Sequence, residues 1–137
     1  EQGVTHIIGS HPHVIQPMEL RTDSITGAQH AVVYSLGNFI SNMSKVNTDG
    51  GLIFTSELEK DTTTSTSPQV RVQRCGYNFV WTARPNFTKE KNYVLYPTDS
   101  TSISKLPEAA RNHLNIFVKN SRKLLHQHNI GIKENKK

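Results

Sequence analysis

Two imidazoles, His11 and His13, stand two residues apart directly after a short β-branched run, Val4-Thr5-His6-Ile7-Ile8-Gly9. Imidazole is a ligand for Zn, Fe and Mn, and nothing in the spacing selects among them. Pro12 fixes its own φ and pushes His11 toward extended or polyproline backbone. In extended backbone, residues i and i+2 face the same side, so both rings are predicted to face one pocket. A buried strand ending in such a loop suits a metal site at the carboxyl edge of an α/β sheet. The same pair also fits two solvated surface histidines, since no Cys-x-x-Cys or His-Glu-x-x-His accompanies it. A second apolar run, Val32-Val33-Tyr34-Ser35-Leu36, ends in Gly37-Asn38 and brings an amide to a sheet edge. Asn38 could hold a substrate oxygen or orient a metal ligand. Its alternative is plain turn chemistry, with positive φ and a local side-chain hydrogen bond. Ser10, beside the histidines, is a further polar candidate for the same roles.

The elements that must position these groups can be read along the chain. A buried first strand is predicted over residues 5–8, followed by the histidine loop. Residues 14–21 read as extended, with Met18 and Leu20 on one face. A turn at residues 23–27 feeds a strand over 31–35, giving a hairpin beside the site. Asp49-Gly50-Gly51 is a second turn, leading into a strand over 52–59. A Thr/Ser-rich loop over 61–68 follows. Strands over 70–74, 76–83 and 92–97 complete an antiparallel meander from 52 to 97. The last element is a helix over 107–128, with Pro107 in its first turn and Asn129 and Gly131 stopping it. Leu106, Ala110, Leu114, Phe117, Leu124, Leu125 and His128 form its apolar stripe. His113, His126 and His128 read as surface or boundary residues, and His6 and His30 as packing residues.

Two longer motifs carry a resemblance. Ile7-Ile8-Gly9-Ser10-His11-Pro12-His13-Val14-Ile15-Gln16-Pro17 resembles the last metal-binding motif of the bacterial poly-γ-glutamate capsule synthesis proteins (CapA-type, PGA_cap). Val32-Val33-Tyr34-Ser35-Leu36-Gly37-Asn38-Phe39-Ile40 resembles that family's following motif, at the expected distance. The family is a branch of the calcineurin-like metallophosphoesterases. The resemblance covers residues 1–60; the rest is compatible with the family's variable carboxyl-terminal part. It implies an α+β or α/β fold: the carboxyl-terminal part of a two-sheet sandwich, mostly antiparallel, with one carboxyl-terminal amphipathic helix. It also implies a two-metal site in which His11 binds the second metal and His13 the first. The family's Gly-His-x-His here carries one extra residue, reading Gly-Ser-His-Pro-His, with the His-x-His core intact. The superfamily's upstream Asp-x-His, Gly-Asp and Gly-Asn-His motifs are absent, and the one Gly-Asn is followed by Phe39. The expectation is therefore a carboxyl-terminal piece of a longer protein, inactive by itself, whose remaining ligands lie upstream.

Composition bounds the function classes. The 137 residues hold 34% hydrophobic residues, with a mean hydropathy of −0.54, and no stretch long and apolar enough for a membrane span. No signal peptide is visible, and the single Cys75 allows no internal disulfide. The net charge of +5 is confined to one end. Residues 105–137 carry eight Lys/Arg against two acidic residues, whereas residues 1–104 carry eight against nine. The expected division is into residues 1–104, which the resemblance makes the carboxyl-terminal part of a capsule-synthesis, metallophosphoesterase-like domain, and residues 105–137, a basic helix and tail. That tail could meet an anionic cell-surface polymer or its precursor, or nucleic acid, or it could be a solvated helix face. No aromatic interleaving favours nucleic acid. The resemblance implies a parent in the cell envelope, beside other capsule-synthesis proteins, acting as a metal-dependent hydrolase with two divalent ions (Mn, Fe or Zn). The alternative is a non-catalytic envelope component that binds anionic polymer.

Overall fold

A computed structural model of the chain describes residues 4–61, 69–99 and 101–135. The content is mixed α+β: two sheets and a long carboxyl-terminal helix. The first sheet has the order β1-β3-β2, built from β1 (Ile7–Ile8), β2 (Met18–Thr22) and β3 (Gln29–Val33). β2 and β3 form the expected antiparallel hairpin, Met18 opposite Val33 and Thr22 opposite Gln29. Its turn is set by Asp23, whose carboxylate accepts the backbone N–H groups of Ile25 (2.8 Å) and Thr26 (2.7 Å). Those two bonds hold the Asp23 carboxyl below the usual carboxylate range.

β1 runs parallel to β3 and corrects the expectation of a buried strand. It is only two residues long and sits at the sheet edge, with Ile7 56% and Ile8 51% exposed. A β-branched run signals strand but does not say whether anything covers it. His6 and His30 serve as packing residues by stitching this edge strand on: the Ala31 N–H donates to His6 Nδ1 (3.1 Å), and His30 Nδ1 lies 3.1 Å from the Thr5 carbonyl.

The second sheet is built on a long hairpin, β4 (Gly50–Asp61) and β5 (Gln69–Ala83), with β6 (Val94–Pro97) antiparallel to β5. The antiparallel meander is as expected. The two strands predicted over 70–74 and 76–83 are one 15-residue strand, because Gly76 does not interrupt it. A Cβ at Gly76 would lie 2.0 Å from the Asn135 side-chain oxygen, so this glycine admits a close neighbour. That neighbour follows β7 (Lys133–Glu134), which pairs parallel with Gly76 and Tyr77. The Thr/Ser-rich loop, residues 62–68, lies outside the described residues.

Between β5 and β6 a single helical turn, α1 (Pro85–Thr88), follows Ala83. The long helix, α2 (Glu108–His128), lies within a residue of its predicted span. Its buried face is Ala110, Leu114, Phe117, Val118, Ser121 and Leu125. His128, expected on that stripe, is exposed: it ends the helix, beyond the last packed turn. One hydrophobic core joins the two sheets and α2 around Met18, Val33, Phe79, Trp81 and Phe117, each at most 1% exposed. Phe79 stands edge-on to Tyr77 and Phe117, at 5.4 and 6.3 Å between ring centroids. No helix among the described residues is long and apolar enough to cross a membrane.

Candidate functional site

The site forms where the two sheets join. After β3 the chain continues through Tyr34, Ser35 and Leu36 and crosses to the start of β4. There Leu52 donates its N–H to the Leu36 carbonyl (2.8 Å), and Asn38 donates to the Gly50 carbonyl (3.0 Å). Gly37 takes φ +79°, and a Cβ on it would lie 2.9 Å from the Gly50 carbonyl oxygen. Only glycine meets both demands at no cost. This crossing fixes the backbone of Asn38 directly beside the histidine segment.

The histidine segment itself is not extended. The His13 N–H donates to the Ser10 carbonyl (3.3 Å), which closes a turn over Ser10–His13, and His13 has φ +61°. This corrects the expectation of an extended segment, on which the placement of both rings by alternation rested. A proline φ suits turn positions as well as extended chain, and here the hydrogen bond across the turn decides. His13 in the left-handed region is uncommon for a residue with a side chain.

The result is a convergence of Ser10, His13 and Asn38 on one groove of about 610 Å³. Its apolar walls include Ile8, Phe39, Ile40 and Ile53. A mostly apolar concavity of that size with a few polar groups has the form of a small-ligand site. His11 is exposed at the turn and is not among the residues lining the groove. Asn38 is only 6% exposed and fully engaged. Its Nδ2 donates to the Thr48 carbonyl (2.8 Å) and lies 3.6 Å from Met43 Sδ, and its Oδ1 is 2.8 Å from His13 Nδ1.

The surrounding loop is held independently. Thr48 is itself buried and donates its hydroxyl to the Lys45 carbonyl (2.6 Å). Thr82 bonds to the Phe39 carbonyl and Arg84 to the Met43 carbonyl. Thr48 is not legible in the sequence as a site residue, because its contribution is a main-chain carbonyl, which residue type does not mark. Among the described residues, no three His, Cys, Asp or Glu side chains converge to hold a metal ion. His113, His126 and His128 are exposed on α2, and His113 packs on Phe87 at 4.4 Å between ring centroids.

No curated protein and no solved structure matches the chain. Residues 1–43, which hold β1, the histidine turn, the β2–β3 hairpin and Asn38, match the family model described as bacterial capsule synthesis protein PGA_cap, the family that the two motifs resemble.

Proposed function

We propose that this chain is the carboxyl-terminal portion of a capsule-synthesis protein of metallophosphoesterase-like architecture, in which His11 and His13 are donated to a two-metal centre. The observation that carries the reading is the 2.8 Å contact between His13 and the buried Asn38 at the edge of an apolar groove. A ligating histidine commonly has its second nitrogen held by a neighbouring acceptor, and such partners orient the ligand. The donor chemistry fits divalent Mn, Fe or Zn. The donor number does not close a site, so the remaining ligands come from outside the described residues.

When bound, two such ions activate a water and neutralise charge on a phosphoryl or similar centre. The chain's own residues have separate roles. His11 and His13 would hold the ions, Asn38 orients His13, and Ser10, lining the groove, would hydrogen-bond a substrate oxygen. Ile8, Phe39 and Ile40 line the groove with apolar surface. Residues 105–137 form the basic part, with Lys105, Lys119, Lys123 and Lys133 exposed. This segment suits an anionic cell-surface polymer in the envelope, alongside other capsule-synthesis proteins. That exposed basic face also supports a second reading, a polymer-binding envelope component without turnover.

Metal analysis of the purified full-length protein separates the two. The native protein is expected to retain close to two divalent ions, and the double variant His11→Ala/His13→Ala to lose them. Unchanged metal content in the variant overturns the ligand assignment. Binding of poly-γ-glutamate that is unaffected by salt, or by Lys119→Glu with Lys123→Glu, removes the basic face from polymer recognition.

A further inference from the structure

We infer that Asn38 is a positioning residue that fixes the tautomer of His13, keeping the proton on Nδ1 and leaving the Nε2 lone pair free for a ligand. Two contacts of the amide determine this. The Thr48 carbonyl can only accept, so the Asn38 atom 2.8 Å from it is the amide nitrogen, Nδ2. The other end of the amide is then the carbonyl oxygen, and it faces His13 Nδ1 at 2.8 Å. A carbonyl oxygen accepts as well, so Nδ1 must be the donor. A neutral imidazole carries one N–H, so Nε2 is left as the acceptor and the metal-binding nitrogen. Burial makes this choice binding. Asn38 is 6% exposed and Thr48 4% exposed, so a flipped amide would set its oxygen against the Thr48 carbonyl without water to relieve the pair.

The clamp is also built from distant parts of the chain. Lys45 and Thr48 close the turn that presents the Thr48 carbonyl. Asn47, with φ +66°, accepts a hydrogen bond from Asn120 of α2 (2.9 Å). The turn that clamps Asn38 thus also contacts the carboxyl-terminal helix. The consequence for metal binding rests on the two-metal proposal, but the tautomer itself does not.

The test uses the full-length protein, freed of metal and labelled with nitrogen-15, at about pH 8.5, where ordinary imidazoles are neutral. Two-bond proton–nitrogen correlations of the imidazole rings report which nitrogen is protonated. His13 is expected to show a protonated Nδ1 and a bare Nε2, whereas the exposed His126 and His128 show the solvent mixture. An Nε2-protonated His13, or the solvent mixture at His13, overturns the inference. Asn38→Leu, which removes the acceptor, is expected to return His13 to the mixture; a retained Nδ1 proton in the folded variant overturns the role of Asn38. Where the leucine variant does not fold, the reading on the native protein tests the tautomer by itself. Because the sample is free of metal, loss of the two-ion reading would leave this result standing, and the reverse holds too.

Discussion

Asn38 and Gly37 act as a pair, in which the glycine permits the crossing between sheets and the asparagine uses the position thereby reached. Replacing Gly37 by Ala forces a side chain into φ +79° and places its Cβ 2.9 Å from a backbone oxygen that cannot move away without unpairing Asn38. Gly37→Ala is expected to destabilise the chain by about 1–3 kcal/mol in urea unfolding. It should also displace the Asn38 amide signals, since the strain is relieved most directly by shifting that crossing. A stability unchanged from the native chain would show that the crossing is softer than its contacts imply. At this scale the sequence is informative about which residues meet and poor about how. The two motifs contain every side chain of the groove's polar cluster, Ser10, His13 and Asn38. Alternation nevertheless fails at His13, because a single hydrogen bond to Ser10 converts the extended segment into a turn. His11 is thereby left out of the groove lining, which residue spacing by itself does not predict.

At the scale of elements, local patterns and turn chemistry decide most of the outcome. The Asp23 turn, the alternation in the β2–β3 hairpin and the periodicity of α2 each agree with the final fold, which is why they are legible. What escapes a reading of the sequence is everything decided by a distant partner. Gly76 lies inside one long strand because Asn135 packs on it, and β1 is bare because no described element covers it. The β4–β5 hairpin carries a testable consequence of that same dependence. Its near part, Gly50–Phe54 opposite Tyr77–Trp81, sits in the core beside β6. Its far part, Glu57–Lys60 opposite Val70–Arg74, extends as a two-stranded ribbon with Leu58 52% and Val70 51% exposed. An isolated two-stranded ribbon is marginal in water. Amide exchange should therefore show Phe79 and Trp81 protected up to global unfolding, while Glu57, Glu59 and Arg71 exchange by local opening at least about a hundredfold faster. Uniform protection along β5 would mean that the ribbon is stabilised by something other than the core.

Across the whole molecule, the carboxyl terminus returns to the first sheet and ties the fold together. Asn129 accepts the Met18 N–H (2.8 Å), Ile130 exchanges backbone bonds with Met18 and Leu20, and β7 docks on β5. Tyr77 lies beneath this closure at 1% exposure, near the Arg122–Glu134 ion pair (2.7 Å). Burial, and secondarily the Glu134 charge, push its phenol up to about 12, with Arg122 pulling the other way. The folded state therefore holds this proton more tightly than the unfolded chain, whose phenol titrates at its ordinary value near 10. The contribution to stability is complete below about pH 10 and is lost as the pH rises toward 12. Tyr77→Phe removes the titrating group while retaining the ring that packs on Phe79. The stability of the native chain relative to this variant should fall by up to about 1.4 kcal/mol per pH unit between about pH 10 and 12 and level off beyond. Chemical denaturation at a series of pH values reads that slope directly, with each protein compared at the same pH so that the other tyrosines and lysines cancel. A flat difference would show that the Tyr77 hydroxyl reaches solvent, and so that the carboxyl-terminal closure opens well before the core does.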